Sequence, residues 1–390
     1  GSMVEFTGDG TAAFTSASNA NGILGGWAVL GDNWAALNGA KQVTAYSSYT
    51  SSLTAGTTTD NVRLTAGATL SATTTTRNTL VLDTSSGSLA LDLGAGTGTL
   101  RLNAGGLLVT GTGTASIIDG KLTSSAATHE LSVFTRADLT IGAAIVNTTT
   151  ALTLTKAGSG TLTLTGSNTY GGDTNLLAGT LVAASGSAIP DNSAVNVATA
   201  GTFKLGGATE TIGGLAGIGA VALEDGHLTV GGSGLSGSLS LALGAGTLTV
   251  SGTSGSFGGV ISGSGNVVKT GNGTLTLTSA QLYSGDTRIT GGSLLLVDES
   301  LDALPDANHL TLAGGTFGIS PTTLAFAAET LGLLTVEADS YLQFHSSTSL
   351  GSALAFADSA AATWTGHLYI TDSSVCQRLP VQNTHFPHNA

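Results

Sequence analysis

The chain has 390 residues, 58 of them glycine, and only 9% are charged, against about 25% in an ordinary globular domain. Its formal charge of −13, from 24 acidic and 11 basic residues, argues against a nucleic-acid partner, because reading phosphates needs a basic stripe. Disorder is excluded as well, since hydrophobic residues reach 41% and fall in short Leu/Val/Ile alternations.

Gly1-Ser2-Met3 reads as a scar of tag removal, with any export signal lying upstream. Residues 4–50 hold two of the three tryptophans, Trp27 and Trp34, with Phe6, Phe14, Tyr46 and Tyr49 nearby. Such an aromatic cluster at one end of a stacked fold predicts an N-terminal cap over the first coils. Its functional alternative is an aromatic sugar-binding platform on Trp27 and Trp34.

From residue 51 to 374 the pattern is β with period two: 78–83, 88–94, 99–103, 151–156, 161–165, 227–230, 247–250, 274–278 and 309–314. In TLTLT the leucines point to one side and the threonines to the other. The runs start roughly 7–12 residues apart, so three short strands with their glycine turns make a coil of roughly 20–30 residues. The fold class is therefore all-β, a parallel β-helix or β-solenoid with three short strands per coil. The proline-bearing stretches 185–195 and 299–310 are expected to bulge outward, and one loosely helical patch precedes the strands of the 321–344 region. The tail 375–390 lacks this patterning and reads as flexible or non-native.

Two related repeat units, about 152–223 and 267–344, lie within this region. KAGSGTLTLTGSNTYGGDTNLLAGTL from Lys156 aligns without gaps with KTGNGTLTLTSAQLYSGDTRITGGSL from Lys269. Lys156 falls on Lys269, Tyr170 on Tyr283, Asp173 on Asp286 and Gly179 on Gly292. This K-x-G-x-G-T-L-T-L-T pattern, followed by Tyr, G-D-T and x-G-x-L, resembles the autotransporter passenger-associated strand repeat. The passages GILGGWAVLGDNWAALNG and SIIDGKLTS…HELSVFTRADLTIGAAI resemble the same large secreted bacterial proteins. The resemblance implies an exported right-handed β-helix displayed at the bacterial surface or secreted, with an outer-membrane-associated parent. It transfers no active site. The export element it implies, a C-terminal barrel or a surface-sorting tail, is not read in this stretch.

Sites for chemistry are sparse. No G-x-S-x-G elbow and no H-E-x-x-H occur. The single cysteine, Cys376, excludes an intrachain disulfide framework, and with His385 and His388 it matches no zinc spacing. No run of 18 apolar residues is present to span a membrane as a helix. Asp173 and Asp286 read as turn aspartates accepting from turn amides. Acidic patches that would suit a polysaccharide-active enzyme are Glu224, Asp225 and His227, then Asp298, Glu299 and Asp302, then His129, Glu130 and Asp138. Thr161, Thr163, Thr165 and Thr274, Thr276, Thr278 have the alternation of an ice-ordering face. The reading is a passenger acting as stalk or adhesin module, without cofactor or metal, whose partners are surface glycans or other cell-surface components. The alternatives are a glycan hydrolase or lyase and an ice- or surface-binding solenoid.

Overall fold

The computed structural model describes residues 3–7, 14, 16–71, 73–297, 303–320, 328–344, 353–357, 364–372 and 379–381. The chain divides into two compact units, Gly1–Lys204 and Leu205–Ala390. Each is a β-solenoid of parallel-stacked coils, and no helix occurs among the described residues. All nine strand runs expected from period two lie on strands.

In the first unit the core is built from inward columns, one residue per coil. On the first face the column runs Val62, Leu80, Leu107, Val133, Lys156, Leu176, Val197. On the second face it runs Leu91, Ile117, Ile141, Leu164, Ala183. Leu100, Leu122 and Ile145 form the third. Apart from Lys156 every member is apolar and all are buried, each large aliphatic contributing about 1.5–3 kcal/mol relative to exposure. The step between coils varies from 18 residues (Val62 to Leu80) to 27 (Leu80 to Leu107), because corners absorb insertions while the ladders fix the strands.

The third face is strand as far as Ala144–Ile145. In the next coils turn segments take its place, and here the expected outward bulge is corrected. Ala188 and Ile189, just before Pro190, are fully buried. Pro190 O closes the turn by accepting from Ser193 N at 2.8 Å. The second unit does the same with Ala303 and Leu304 before Pro305, where Asn308 N donates to Pro305 O at 2.8 Å. A coil that loses a strand still needs apolar volume inside, and an aliphatic pair ahead of the proline supplies it.

The second unit has three faces of its own. The first runs through Thr209–Ile212, His227–Val230, Thr247–Val250, Asn266–Lys269, Thr287–Ile289, Leu310–Ala313 and Leu334–Ala338. The second includes Gly255–Phe257, Thr274–Leu277, Ser293–Leu296, Thr316–Ile319, Ser340–Phe344 and Leu368–Asp372. Strands such as Ala220–Ala222, Ser240–Ala242 and Val260–Gly263 make the third. Within the expected flexible tail, Leu379–Val381 forms an antiparallel strand on Leu368–Asp372, which pairs an edge that would otherwise template aggregation. The loosely helical patch falls largely on residues outside those described.

The N-terminal aromatic segment forms a four-stranded sheet of Val4–Phe6, Ala28–Leu30, Asn33–Leu37 and Val43–Ala45. Ile23, Val29 and Trp34 pack on an outward column of the first face, Val81, Leu108, Phe134 and Ala157, so the sheet straps four successive coils, and Asn21 and Asn33 tie it to the first coil through Asn61 and Arg63. Its other side carries a small core of Ala28, Leu30, Ala35, Leu37 and Val43, covered by Phe6, Ala17 and Leu24. Polar ties fix the strap. Arg63 binds Asp83 at 2.7 Å and Asn33 Oδ1 at 2.7 Å while lying over the Tyr49 ring, 4.7 Å from its centroid, and Arg136 pairs with Glu5 and Asp32.

Candidate functional site

The matching residues of the two repeats perform matching structural work. Lys156 shares parity with Leu152 and Leu154, so its side chain enters the core, where its exposure is 0%. Its ammonium donates to the carbonyls of Ala157 (2.9 Å), Gly158 (2.8 Å) and Ala178 (3.0 Å). Lys269 likewise donates to Thr270 O and Gly271 O. Burial draws the pKa of Lys156 down to about 7, against which nearby Asp138 acts; Lys269 is lowered by burial too. Each ammonium thus satisfies carbonyls at a corner where an inward strand turns.

The repeat glycine closes that corner. Gly179 has φ +72°, and a Cβ there would lie 2.7 Å from Gly160 O and 2.8 Å from Lys156 Nζ; Gly292, at φ +63°, meets Lys269 Nζ at 2.9 Å. Gly179→Val combines a left-handed β-branched residue with displacement of the lysine. It is expected to cost more than ~2 kcal/mol locally, read as faster hydrogen exchange across 180–183. Exchange equal to wild type would refute the corner assignment.

Tyr170 and Tyr283 fill the core completely, both at 0% exposure. Their hydroxyls bond Thr174 Oγ1 (2.7 Å) and Thr287 Oγ1 (2.5 Å), and Thr287 passes the network to Asn308 at 2.5 Å. Burial raises the Tyr283 phenol well above its ordinary value. Tyr283→Phe should cost about 1 kcal/mol by leaving Thr287 short of a partner, measured as a shift in the urea midpoint, whereas an unchanged midpoint would count against this network.

The second repeat has Gln281 where the first has Asn168, and the chemistry survives the exchange. Asn168 Oδ1 accepts from Ile145 N at 2.7 Å, and Gln281 Oε1 accepts from Ile261 N at 2.8 Å. Both amides therefore stand in for a missing strand partner on the third face.

The residues weighed for catalysis are scattered. Glu224 and Asp225 are exposed at a corner, Glu224 with φ 58°. His227 opens the following strand, flanked in register by Thr209 and Thr247, while the coil next to Glu224 presents Gly244. His129 bonds Thr150 at 2.8 Å and Glu130 accepts from Thr155. Asp138, beyond the far end of the strand Glu130–Thr135, caps Thr161 N at 2.8 Å. Asp298, Glu299, Asp302, Cys376, His385 and His388 lie outside the described residues. Among the described residues no group of three or more His, Cys, Asp or Glu is placed to hold a metal.

Asp173 and Asp286 were expected to accept turn amides on their side chains, yet it is their backbone carbonyls that accept, from Leu154 N and Val267 N at 3.0 Å each. Trp34, expected as part of a sugar platform, is fully buried between the strap that carries it and the coils, and offers no face to a ligand; Trp27 remains 38% exposed. The threonine faces are broken along the coils. Thr163 is flanked by Thr140 and Val182, and Thr276 by Ser256 and Leu295.

A concentration of surface chemistry lies elsewhere, in two adjacent coils of the second unit. Along 337–343 the alternate residues are Glu337, Asp339, Tyr341 and Gln343; along 365–371 they are Thr365, His367, Tyr369 and Thr371. The parallel register sets Tyr341 against Tyr369 and Gln343 against Thr371. The two tyrosine rings stack with centroids 5.2 Å apart at 26°. Thr365 Oγ1 donates to Glu337 O at 2.7 Å. Asp339 accepts from the backbone of His367 (2.9 Å) and from its Nδ1 (2.8 Å). Those bonds, with a further one from Tyr369, hold the Asp339 carboxyl below the usual carboxylate range. Glu337 grips Arg288 with both oxygens, at 2.8 and 2.6 Å, which lowers its own pKa and raises that of the arginine. Sequence reasoning missed this patch, although the alternation in EADSYLQF and GHLYIT was legible. The 28-residue step that pairs Asp339 with His367 follows no repeat.

The sequence profile of the passenger-associated-transport-repeat family matches residues 154–183 and 267–296, the two segments knitted by Lys156 and Lys269. Over 215 residues the chain is 34% identical to the adhesin BmaC autotransporter of Brucella suis biovar 1 (strain 1330), a match covering 52% of this chain and 6% of that protein. No solved structure matches. The chain carries two passenger-associated transport repeats in a β-solenoid, and a passenger of this kind is surface-displayed or secreted.

Proposed function

We propose that this chain, as a stretch of passenger-repeat solenoid, is a segment of a bacterial surface adhesin whose parent protein is held at the outer membrane. The observation that carries the proposal is the pair of repeats, supported by the relative named as an autotransporter adhesin. Parallel ladders and corner lysines let coils be added without a central globule, so the same physics serves a segment of any length. A mostly Gly, Ser and Thr exterior with few charges suits a scaffold that presents contact surfaces at intervals. The partners would be components of another cell's surface.

The test is adhesion of beads coated with the purified chain to epithelial monolayers and to abiotic surfaces, against beads carrying an unrelated β-solenoid. Retention several-fold above that control is expected. Equal retention on every surface would remove the adhesin reading and leave a stalk.

A further inference from the structure

We propose that the two-coil patch of Glu337, Asp339, Tyr341 and Gln343 with His367, Tyr369 and Thr371 is a carbohydrate-binding surface for neutral, hexose-containing glycans. The inference rests on the adhesin reading for its biological use, though its chemistry is argued from the patch alone.

A pyranose offers an apolar face of C–H groups and a rim of hydroxyls that both donate and accept. Recognition in water pairs an aromatic surface with fixed polar groups beside it. The stacked rings of Tyr341 and Tyr369 supply the first. On the preceding coil the register places Thr316 beside Tyr341, a small neighbour that leaves a step at the edge of the ring. Asp339 supplies an ionised acceptor next to this step. His367, donating through Nδ1 to Asp339, keeps Nε2 as a second acceptor in its neutral form. Gln343 adds both a donor and an acceptor.

The groups are already held. Ser340 N donates to His367 O and Thr365 N to Val336 O, each at 2.9 Å, so the backbone of both coils is fixed by the solenoid ladder. Little conformational entropy remains to be lost when a sugar docks. Charge decides between glycan classes. Arg288 is tied bidentately by Glu337, and the whole chain is acidic at −13. A sulfate or sialyl carboxylate would meet two carboxylates and a neutralised guanidinium, whereas a neutral sugar meets acceptors for its hydroxyls.

The experiment uses the full chain on an array of galactose-, glucose-, fucose- and N-acetylhexosamine-terminated neutral glycans, with sialylated glycans and heparin as the charged arm. A titration follows with the best neutral oligosaccharide. Binding confined to the neutral arm is expected. Tyr369→Ala and Asp339→Asn should each weaken it at least about tenfold, while Thr229→Ala, on the first face several coils away, stays near wild type. Thermal midpoints serve as the folding control, since all these side chains face outward.

Binding only in the charged arm, no neutral binding, or neutral binding untouched by Tyr369→Ala and Asp339→Asn would each overturn the proposal. The same variants on beads separate it from the adhesin reading. Beads that adhere equally with and without the substitutions leave the adhesin and remove the patch. A wild-type bead that fails to adhere while the array signal stands removes the adhesin and keeps the patch.

Discussion

Replacing Trp34 with alanine is expected to release the N-terminal strap while leaving the coils beneath it folded. Trp34 is fully buried, with Ile23 and Val29 on its own side and Val81, Leu108, Phe134 and Ala157 below. Truncating such a residue costs about 3–5 kcal/mol in lost burial and unfilled volume. The loss falls on the strap because the two parts are held differently. The coils are joined by continuous parallel ladders, whereas the strap meets them through side chains and a few polar ties. Tyr49 Oη accepts from the backbone N–H of residue 34 at 2.9 Å, a bond alanine retains, so the loss traced to this substitution is that of the buried side chain. Trypsin should then cut at Lys41, now held to Ala17 O at 3.0 Å, many times faster than in wild type. The far-ultraviolet β signal should change little. A hydrophobic dye should report the uncovered column of Val81, Leu108 and Phe134. Unaltered cleavage at Lys41 would show that the sheet is secured by something other than this tryptophan.

That strap also marks where sequence reading stopped. Period two gave each strand its inside and outside, as in TLTL, where Leu162 and Leu164 are buried and Thr161 and Thr163 are not. The same rule carried a signal left unused. The runs GLLV and SVF are apolar on both parities, which a strand with one wet face would not tolerate. Leu107 and Leu108 are both fully buried, as are Val133 and nearly Phe134, one facing the core and the other the strap. Covered on both sides, these strands announced a second layer, but nothing in the aromatic cluster of residues 4–50 said where it would lie.

Lys156 was legible by parity as well, since LTLTK places it in line with two leucines. The proline turns at 190 and 305 were read as excursions because proline cannot join a ladder. What pattern could not convey is that the residues just before each proline replace a missing strand in the core. The patch around Asp339 and Tyr369 depended on register between coils of unequal length, and register is a property of the folded stack.

Raising the pH from 7 to 10 is expected to strengthen the coils around Lys156, and Lys156→Met should abolish that gain. Burial draws the folded-state pKa down to about 7 from an ordinary 10.5. Between those values the unfolded chain binds the lysine proton and the folded chain has begun to release it. Stability therefore rises with pH across this window, by at most about 1.4 kcal/mol per unit. Below pH 7 both states are protonated and the term is flat; above 10.5 neither is, and the burial penalty has gone.

Three carbonyls surround the nitrogen, so the protonated form has a donor for each, at the cost of its desolvation. Methionine keeps the stem and the apolar contacts but carries no proton. It should leave the carbonyls of Gly158 and Ala178 short of a donor at every pH while removing the slope. Lys269, shifted in the same direction, sits in the second unit and provides an internal comparison. Urea midpoints at pH 7, 8, 9 and 10 for wild type and variant, followed by hydrogen exchange near residues 156–158, isolate the contribution as the difference between the two curves. Parallel curves would mean that Lys156 titrates as it does in the unfolded chain. The corner would then hold its lysine by packing alone, and the position shared by the two repeats would be accounted for by shape, with the charge incidental.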